Sequence, residues 1–344
     1  MAADKGYTTL LADLKAESLR NLYIFYGEER YLKNTYLEKV REALIEPSFE
    51  EFNYHRIAGK GLTVEALTEV VEAMPMMAQN TLVVVVEDWD IFKLDERSRT
   101  ALLALLEDFP EYCTLIILCD TLEYKRDKKM KKLCAALDEH VVEVAFLQQE
   151  RGALVNWLRR RFKALGHDID GAAADHLLFT CGTLMGDLVP EVEKIGAFAK
   201  GEMITIEDIN AVAEPILDAK IFDITNAVTA GEFDKAANVL SELLRMQTEP
   251  VAILATLGKE LRRLYTARLA LEQGKDRFWL KELWKMSSDY PAKLLLQAAR
   301  CVDRRWCSAA LRRAQTLDRR MKSEKGINAE SELKLFLMEL AGGR

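Results

Sequence analysis

The chain has 344 residues, 49% of them hydrophobic and 30% charged, and a formal net charge of −7. These values are ordinary for a folded, water-soluble protein, and the length predicts two or three domains. The acidic balance argues against a protein whose whole surface binds nucleic acid. The longest apolar runs are of strand length and too short to span a membrane.

The opening segment, MAADKGYTTL, contains no apolar signal sequence, so we expect a cytoplasmic protein. The four histidines lack the spacing of a metal or catalytic motif. Six scattered cysteines without a CxxC pair predict buried thiols in a reducing compartment, not a zinc site or a disulfide framework. They are Cys113, Cys119, Cys134, Cys181, Cys301 and Cys307.

Residues 1–147 alternate short aliphatic runs with amphipathic stretches. Strands are expected at residues 22–26, 52–57, 82–87, 114–119 and 141–144, and helices at residues 31–45, 63–73, 95–108 and 128–137. Near-continuous aliphatic runs are typical of strands buried on both faces of a parallel sheet. The first domain is therefore predicted to be a doubly wound α/β domain.

Helical periodicity replaces the strand signal from residue 148 onward. Helices are expected at residues 151–165, 170–180 and 185–200. Thr205 and Asp208 have the spacing of a capping box that begins another helix. Leu333, Phe336, Leu337 and Leu340 give the last helix a continuous packing face. Two all-helical regions are therefore expected, at residues 148–212 and 213–344.

The first strand runs into a glycine turn and an amphipathic helix, LYIFYGEERYLKNTYLEKV, where a nucleotide-binding protein would place its phosphate loop. If Gly27 is the first glycine of G-x-x-x-x-G-K-[ST], Leu32 replaces the second glycine and Asn34 replaces the hydroxyl residue. Only Lys33 matches. The two glutamates after Gly27 put carboxylates where phosphates would lie. From these residues alone we favour an ordinary strand-turn-helix, and hydrolysis is not expected on either interpretation.

Residues 73–88, AMPMMAQNTLVVVVED, join a helix end to a buried strand. Pro75 disfavours helical geometry at Met74 and can open a new turn, so Met76 and Met77 are expected to project from a short helical start. Adjacent helical positions point about 100° apart, so at least one of them is expected to face outward. Methionine is flexible and suits an apolar pocket on a partner. The alternative is that both cap the core.

Glu87 and Asp88 follow the aliphatic strand and resemble the acidic pair of an NTPase. Because the Lys-Ser/Thr half of such a site is missing, we interpret them as the opening of a loop.

Three basic clusters stand out against the acidic composition. Two lie at residues 125–132 and 159–163. In the third, Arg305, Arg312 and Arg319 recur every seven residues and share one face if their helix is continuous. Arg304, Arg313, Arg320 and Lys322 widen this cluster. A solvated helix face is the alternative to DNA contact.

Six segments in fixed order resemble the delta subunit of the bacterial DNA polymerase III clamp loader. They are LYIFYGEERYL, AMPMMAQNTLVVVVED, GTLMGDLVPEVEKIGAFAKGEMITIEDI, IFDITNAVTAGEFDKA, EPVAILATLGKELRRLY and ALRRAQTLDRRMKSEKGINAESELKLFLMEL. The resemblance covers almost the whole chain. It implies an AAA+-like α/β domain at residues 1–147, a three-helix lid at residues 148–212 and a helical collar at residues 213–344.

The resemblance also implies site residues. Delta subunits resemble clamp-loader ATPases that have lost ATP binding, so no cofactor and no intrinsic activity are expected. In the family, a pair of bulky apolar residues before the third strand inserts into a pocket of the sliding clamp, and Met76 and Met77 occupy the matching positions. Many relatives carry leucine and phenylalanine there, so the Met-Met pair departs from that pattern. The arginine-finger motif Ser-Arg-Cys of the ATPase subunits is absent.

The implied function is that of a non-catalytic clamp-opening subunit in DNA replication, with ATP hydrolysed by neighbouring subunits. Its partners would be the sliding clamp, the clamp-loader ATPase subunits with delta-prime, and primer–template DNA, with no membrane. Arg305, Arg312 and Arg319 are the candidates for DNA contact. The alternatives are an atypical NTPase of the AAA+ type and a helical scaffold protein without clamp contact.

Overall fold

The computed structural model describes residues 5–87 and 89–342, so Asp88, the second acidic residue after the aliphatic strand, lies outside the described residues. The chain divides into two compact units. The first, unit 1, ends at Gln149 and also includes Leu184–Gly186. The second, unit 2, holds Glu150–Thr183 and the chain from Asp187 onward.

Unit 1 is built on a five-stranded parallel sheet with the strand order β2-β3-β4-β1-β5. Its elements are α1 (Lys5–Lys15), β1 (Leu22–Tyr26), α2 (Arg30–Leu44), a 3₁₀ turn (Pro47–Phe49), α3 (Glu50–Asn53), β2 (Tyr54–Ala58), α4 (Val64–Val71), β3 (Thr81–Val86), α5 (Glu96–Glu107), β4 (Cys113–Leu118), α6 (Lys131–His140) and β5 (Val142–Ala145).

The sheet is buried because its central strands are aliphatic on both faces. All six residues of β4, CTLIIL, are buried, and so are the first five of β3. Side chains alternate across the sheet, so Leu22 and Ile24 of β1 join one apolar layer while Tyr23 and Phe25 join the other. The α/β fold class predicted from the aliphatic runs is confirmed.

Two local predictions in unit 1 are wrong. The second strand begins at Tyr54 because residues 50–53, expected to lie partly in that strand, form α3. The last crossover helix begins at Lys131, three residues later than expected. Helix α1 was not predicted; its Leu10 is fully buried among residues of β1 and α2.

Unit 2 is largely helical. Its elements are α7 (Arg151–Ala164), β6 (Asp168–Ile169), α8 (Gly171–Cys181), α9 (Met185–Phe198, which starts within the segment grouped with unit 1), β7 (Met203–Ile204), α10 (Ile206–Val212), α11 (Leu217–Ala230), α12 (Phe233–Arg245), α13 (Pro250–Glu272), α14 (Arg277–Leu283), α15 (Tyr290–Arg300), α16 (Arg304–Ser323) and α17 (Ala329–Gly342).

Local signals placed several of these helices correctly. Thr205 and Asp208 form the predicted capping box at the start of α10. The four apolar residues proposed as the packing face of α17 are buried. Residues 148–212 hold four helices, the three expected from periodicity and the one that the capping box begins, together with a two-residue parallel pairing of β6 with β7 that was not predicted. The division of the helical region at residue 212 stays a prediction.

The cysteines only partly follow expectation. Cys113, Cys119, Cys181 and Cys307 are buried, but Cys134 is partly exposed and Cys301 is exposed. The prediction of buried thiols is therefore wrong for the last two. None of the six forms a disulfide. Among the described helices, none is both long and apolar enough to cross a membrane.

Candidate functional site

The segment between α4 and β3 exposes the two methionines that the sequence singles out. Met76 is 52% exposed and Met77 is 78% exposed, so the alternative that both pack in the core is wrong. The expected short helical start is also wrong, because residues 72–80 form bends without helix. We call residues 74–77 the methionine turn. Its side chains offer apolar, polarisable surface at the entry to a buried strand.

The backbone of the methionine turn is held by a side chain from α3. Asn53, which is 1% exposed, accepts a hydrogen bond from the Met76 N–H at 2.8 Å and donates to the Met76 carbonyl at 2.9 Å. Met77 follows with a φ of 53°, in the left-handed region that side chains other than glycine rarely adopt. The turn is thus a defined and strained conformation.

The apolar surface around the turn is larger than the sequence suggested. Met74 is 82% exposed and Phe52, on α3 beside Asn53, is 52% exposed. Sequence reasoning missed Phe52 and Asn53 because it assigned both to the second strand. The available signal was Pro47 followed by Glu50 and Glu51, a pattern typical of a helix start.

The glycine turn after β1 serves the packing of the sheet. Gly27 has a φ of 109°, and a Cβ at this position would lie 2.4 Å from the carbonyl oxygen of Phe146. The Glu29 N–H, at the start of α2, donates to that same carbonyl at 2.9 Å. A backbone donor that a phosphate loop would direct at its ligand is therefore bonded within unit 1.

The lysine of this loop is also engaged. Lys33 is 0% exposed, and its Nζ donates to the Cys119 carbonyl at 2.5 Å and lies 3.0 Å from Asp120 Oδ1. Leu32 is half-buried and lacks the backbone freedom of the glycine that the pattern requires. Asn34 is exposed and lacks the hydroxyl that the pattern requires. The loop residues lie together, but they do not form a phosphate cradle.

The carboxylate of Glu29 fills part of the same turn. Glu29 is buried, and its two oxygens lie 3.2 and 3.3 Å from the N–H of Met185, a residue grouped with unit 1. Glu28 is exposed. A buried carboxylate at this place adds negative charge where a nucleotide phosphate would need positive charge.

The arginine cluster lies on α16 in unit 2. The helix is continuous over Arg304–Ser323, and Arg305, Arg312 and Arg319 are all exposed on one face, as the heptad spacing predicts. None of the three makes a salt bridge with any described residue. We call them the free arginine row.

Neighbouring basic residues on α16 are engaged instead. Arg320 makes two hydrogen bonds with Glu332, at 2.8 and 2.9 Å, and this contact raises the pKa of its guanidinium. Arg313 donates to the Glu339 carbonyl at 2.8 Å, and Lys322 pairs with Asp318 at 2.8 Å. Arg304 donates to the Tyr265 hydroxyl at 3.4 Å. The wider cluster named from sequence thus separates into residues with a hydrogen-bond or charged partner and the free arginine row.

Comparisons with known proteins agree with this architecture. A model of the DNA polymerase III delta subunit matches residues 23–145, and a model of its C-terminal domain matches residues 218–340. The first match includes both the Lys33 loop and the methionine turn.

Individual relatives are distant but extensive. The DNA polymerase III subunit delta of Bacillus subtilis (strain 168) is 22% identical over 337 residues, covering 95% of this chain and 94% of the relative. That of Escherichia coli (strain K12) is 23% identical over 247 residues, covering 71% and 70%. A solved structure of the Bacillus subtilis DNA clamp loader delta protein has the same fold, with a TM-score of 0.53 and 20% identity over 98% of this chain and 99% of that chain. Because the two family models fall on both units, the chain belongs to the DNA polymerase III delta subunit family.

Proposed function

We propose that this chain is a clamp-opening subunit of the DNA polymerase III clamp loader and that the methionine turn is its contact with the sliding clamp. The observation that carries the proposal is the exposure of Met76 and Met77 in the turn that leads into the buried strand β3. Adjacent large apolar side chains held in solvent by a fixed backbone are typical of anchors that fill a pocket on a partner.

Burial of the anchor would supply binding energy. Burying a methionine side chain contributes about 1.5–3 kcal/mol relative to leaving it in water. Only the difference in affinity between an open and a closed clamp can do work on the clamp. In this proposal the methionine turn therefore binds the opened clamp interface better than the closed one, and the population shifts toward the open form.

In this proposal the chain itself binds no ATP. The engagement of Lys33 by Asp120 and Cys119 supports this, because a loop lysine acts on phosphate only when its ammonium is free. ATP would be hydrolysed by the neighbouring ATPase subunits. This argument disfavours the alternative of an atypical NTPase.

We also propose the remaining partners, and the match of residues 218–340 to the C-terminal domain of the delta subunit supports the proposal. We assign assembly with the ATPase subunits and delta-prime to the helices after residue 213, and contact with primer–template DNA to the free arginine row. Its three unpaired guanidinium groups on one helix face are suited to phosphate oxygens. The site of action would be the cytoplasm, where replication proteins meet DNA.

The experiment is a binding titration of the full-length chain against the sliding clamp by surface plasmon resonance. The double variant Met76→Ala/Met77→Ala is expected to lose about thirtyfold or more in affinity, the effect of removing buried anchors. Urea unfolding should show little change, because both side chains are exposed.

Met203→Ala is the matched control, since Met203 is an exposed methionine of unit 2. It should bind like the parent chain. If the parent chain does not bind the clamp, the proposed function is refuted and the scaffold alternative gains. If the parent binds and the double variant binds equally well, the methionine turn is refuted as the clamp contact and the contact lies elsewhere on the chain.

A further inference from the structure

The side-chain amide of Asn53 makes three hydrogen bonds to backbone atoms, two of them to Met76. Its Oδ1 accepts from the Met76 N–H at 2.8 Å while its Nδ2 donates to the Met76 carbonyl at 2.9 Å and to the Phe49 carbonyl at 3.1 Å. One side chain thus gives Met76 the donor and the acceptor that a neighbouring strand would give it in a sheet. The backbone of Met76 is thus hydrogen-bonded as it would be in a sheet, although the turn lies outside the sheet.

This contact matters because residues 74–77 make no backbone–backbone hydrogen bond with the part of the chain that the structure describes. Met76 is half-exposed and Met77 is largely exposed, so packing of these side chains does little to fix the backbone. Met77 also occupies the left-handed region at a φ of 53°. A strained backbone persists only where surrounding contacts impose it. The buried amide of Asn53, anchored in α3, supplies such a contact directly before the strained residue.

We propose that Asn53 is a positioning residue that holds Met76 and Met77 in the conformation that binds the clamp. The inference rests on the proposed function of the methionine turn. An anchor already fixed in its bound conformation loses less conformational freedom on binding, so its affinity is higher than that of a loose anchor. Asn53 itself is buried and does not touch the partner.

A purely structural role for Asn53 gives a different expectation. If the amide only stabilises unit 1, its removal lowers stability and leaves the affinity of the folded chain unchanged. If it positions the anchor, its removal weakens clamp binding, and the effect depends on the methionines being present. A double-mutant cycle separates the two cases because it isolates the coupling between sites.

The experiment compares full-length chains for sliding-clamp affinity by surface plasmon resonance. Asn53→Ala is expected to weaken binding by about tenfold, the scale of removing one hydrogen-bonded group. In the Met76→Ala/Met77→Ala background the same change is expected to alter affinity by less than about twofold, since no anchor remains to be positioned. Hydrogen exchange of the Met76 amide should become faster in Asn53→Ala, without the clamp present.

Asn21→Ala is the matched control. Asn21 also lies in unit 1, and its Nδ2 donates to the carbonyls of Pro110, Glu111 and Cys113. Its replacement removes several side-chain to backbone bonds of the same kind but none to the methionine turn. We expect reduced stability with unchanged clamp affinity and unchanged exchange at Met76.

The outcomes are distinct. If Met76→Ala/Met77→Ala weakens binding while folded Asn53→Ala binds like the parent, the positioning role is refuted and the proposed function stands. Equal losses of affinity from Asn53→Ala with and without the methionines would also refute it. If Asn53→Ala does not fold, Asn53→Asp keeps an acceptor for the Met76 N–H and loses the donor to its carbonyl. It should still weaken binding, and unchanged binding would again overturn the inference.

Discussion

Lys33 and Asp120 form an ion pair inside unit 1, with Lys33 Nζ 3.0 Å from Asp120 Oδ1. Lys33 lies in the first turns of α2, and Asp120 follows the end of β4. The pair therefore ties the glycine turn to the carboxyl end of the adjacent strand. The lysine that matches the phosphate-loop pattern is thus bonded within the fold.

This pair predicts a clear stability effect. Among the described residues, Lys33→Met leaves the largely buried Asp120 with one long contact to a cation, Arg30 at 3.7 Å, so the free energy of unfolding should fall by roughly 3 kcal/mol. Lys33→Met/Asp120→Asn should cost less than Lys33→Met, because no unpaired charge remains. Urea unfolding measures both. Lys39→Met, an exposed lysine of the same helix, should change stability by less than about 0.5 kcal/mol. A double variant less stable than Lys33→Met would contradict the pairing argument.

The same geometry predicts that the isolated chain does not bind ATP. Titration calorimetry with ATP should give no saturable heat, with or without Mg²⁺, because the loop lysine and the Glu29 N–H are already bonded within unit 1. The same preparation should be shown to bind the sliding clamp, so that an inactive sample does not explain the missing heat of ATP binding. Saturable binding that depends on Mg²⁺ would restore the NTPase alternative.

Phe52 is expected to extend the anchor. It precedes Asn53 on α3, whose side chain reaches Met76, so it lies within about 10 Å of the methionine turn. Phe52→Ala should weaken clamp binding by about threefold to tenfold, as for a residue at the margin of an interface, with little change in stability. Phe198→Ala, an exposed phenylalanine of unit 2, is the control. Equal affinities of Phe52→Ala and the parent chain would limit the anchor to the two methionines.

The free arginine row predicts a change in salt dependence. If Arg305, Arg312 and Arg319 bind phosphates in the assembled loader, replacing each with alanine should flatten the log–log dependence of DNA affinity on salt by about 0.9. Affinity should fall equally for all DNA sequences, since phosphate contacts carry no sequence information. Arg313→Ala is the matched control, because Arg313 is bonded to Glu339. If the triple alanine variant has the same slope of log DNA affinity against log salt concentration as the parent, the free arginine row is a solvated helix face.

Much of the fold could be predicted because it is encoded locally. The aliphatic runs of β3 and β4 fix their burial, since near-continuous apolar strands need cover on both faces. The heptad spacing on α16 fixes which arginines share a face, and the capping box at Thr205 fixes where α10 begins. The departure of Leu32 and Asn34 from the phosphate-loop pattern is likewise a property of the sequence alone.

The tertiary structure decided what depends on residues distant in the chain. The sequence could not show that Asn53 bonds to Met76, because a short helix replaced the first residues of an expected strand. It could not show that Lys33 meets Asp120 or that Arg320 meets Glu332. Such partners are set by the packing of whole elements, and local pattern carries no information on which distant carboxylate or carbonyl will lie within hydrogen-bond distance. The sequence therefore determined which residues could act, and the packing decided which of them are held, paired or free.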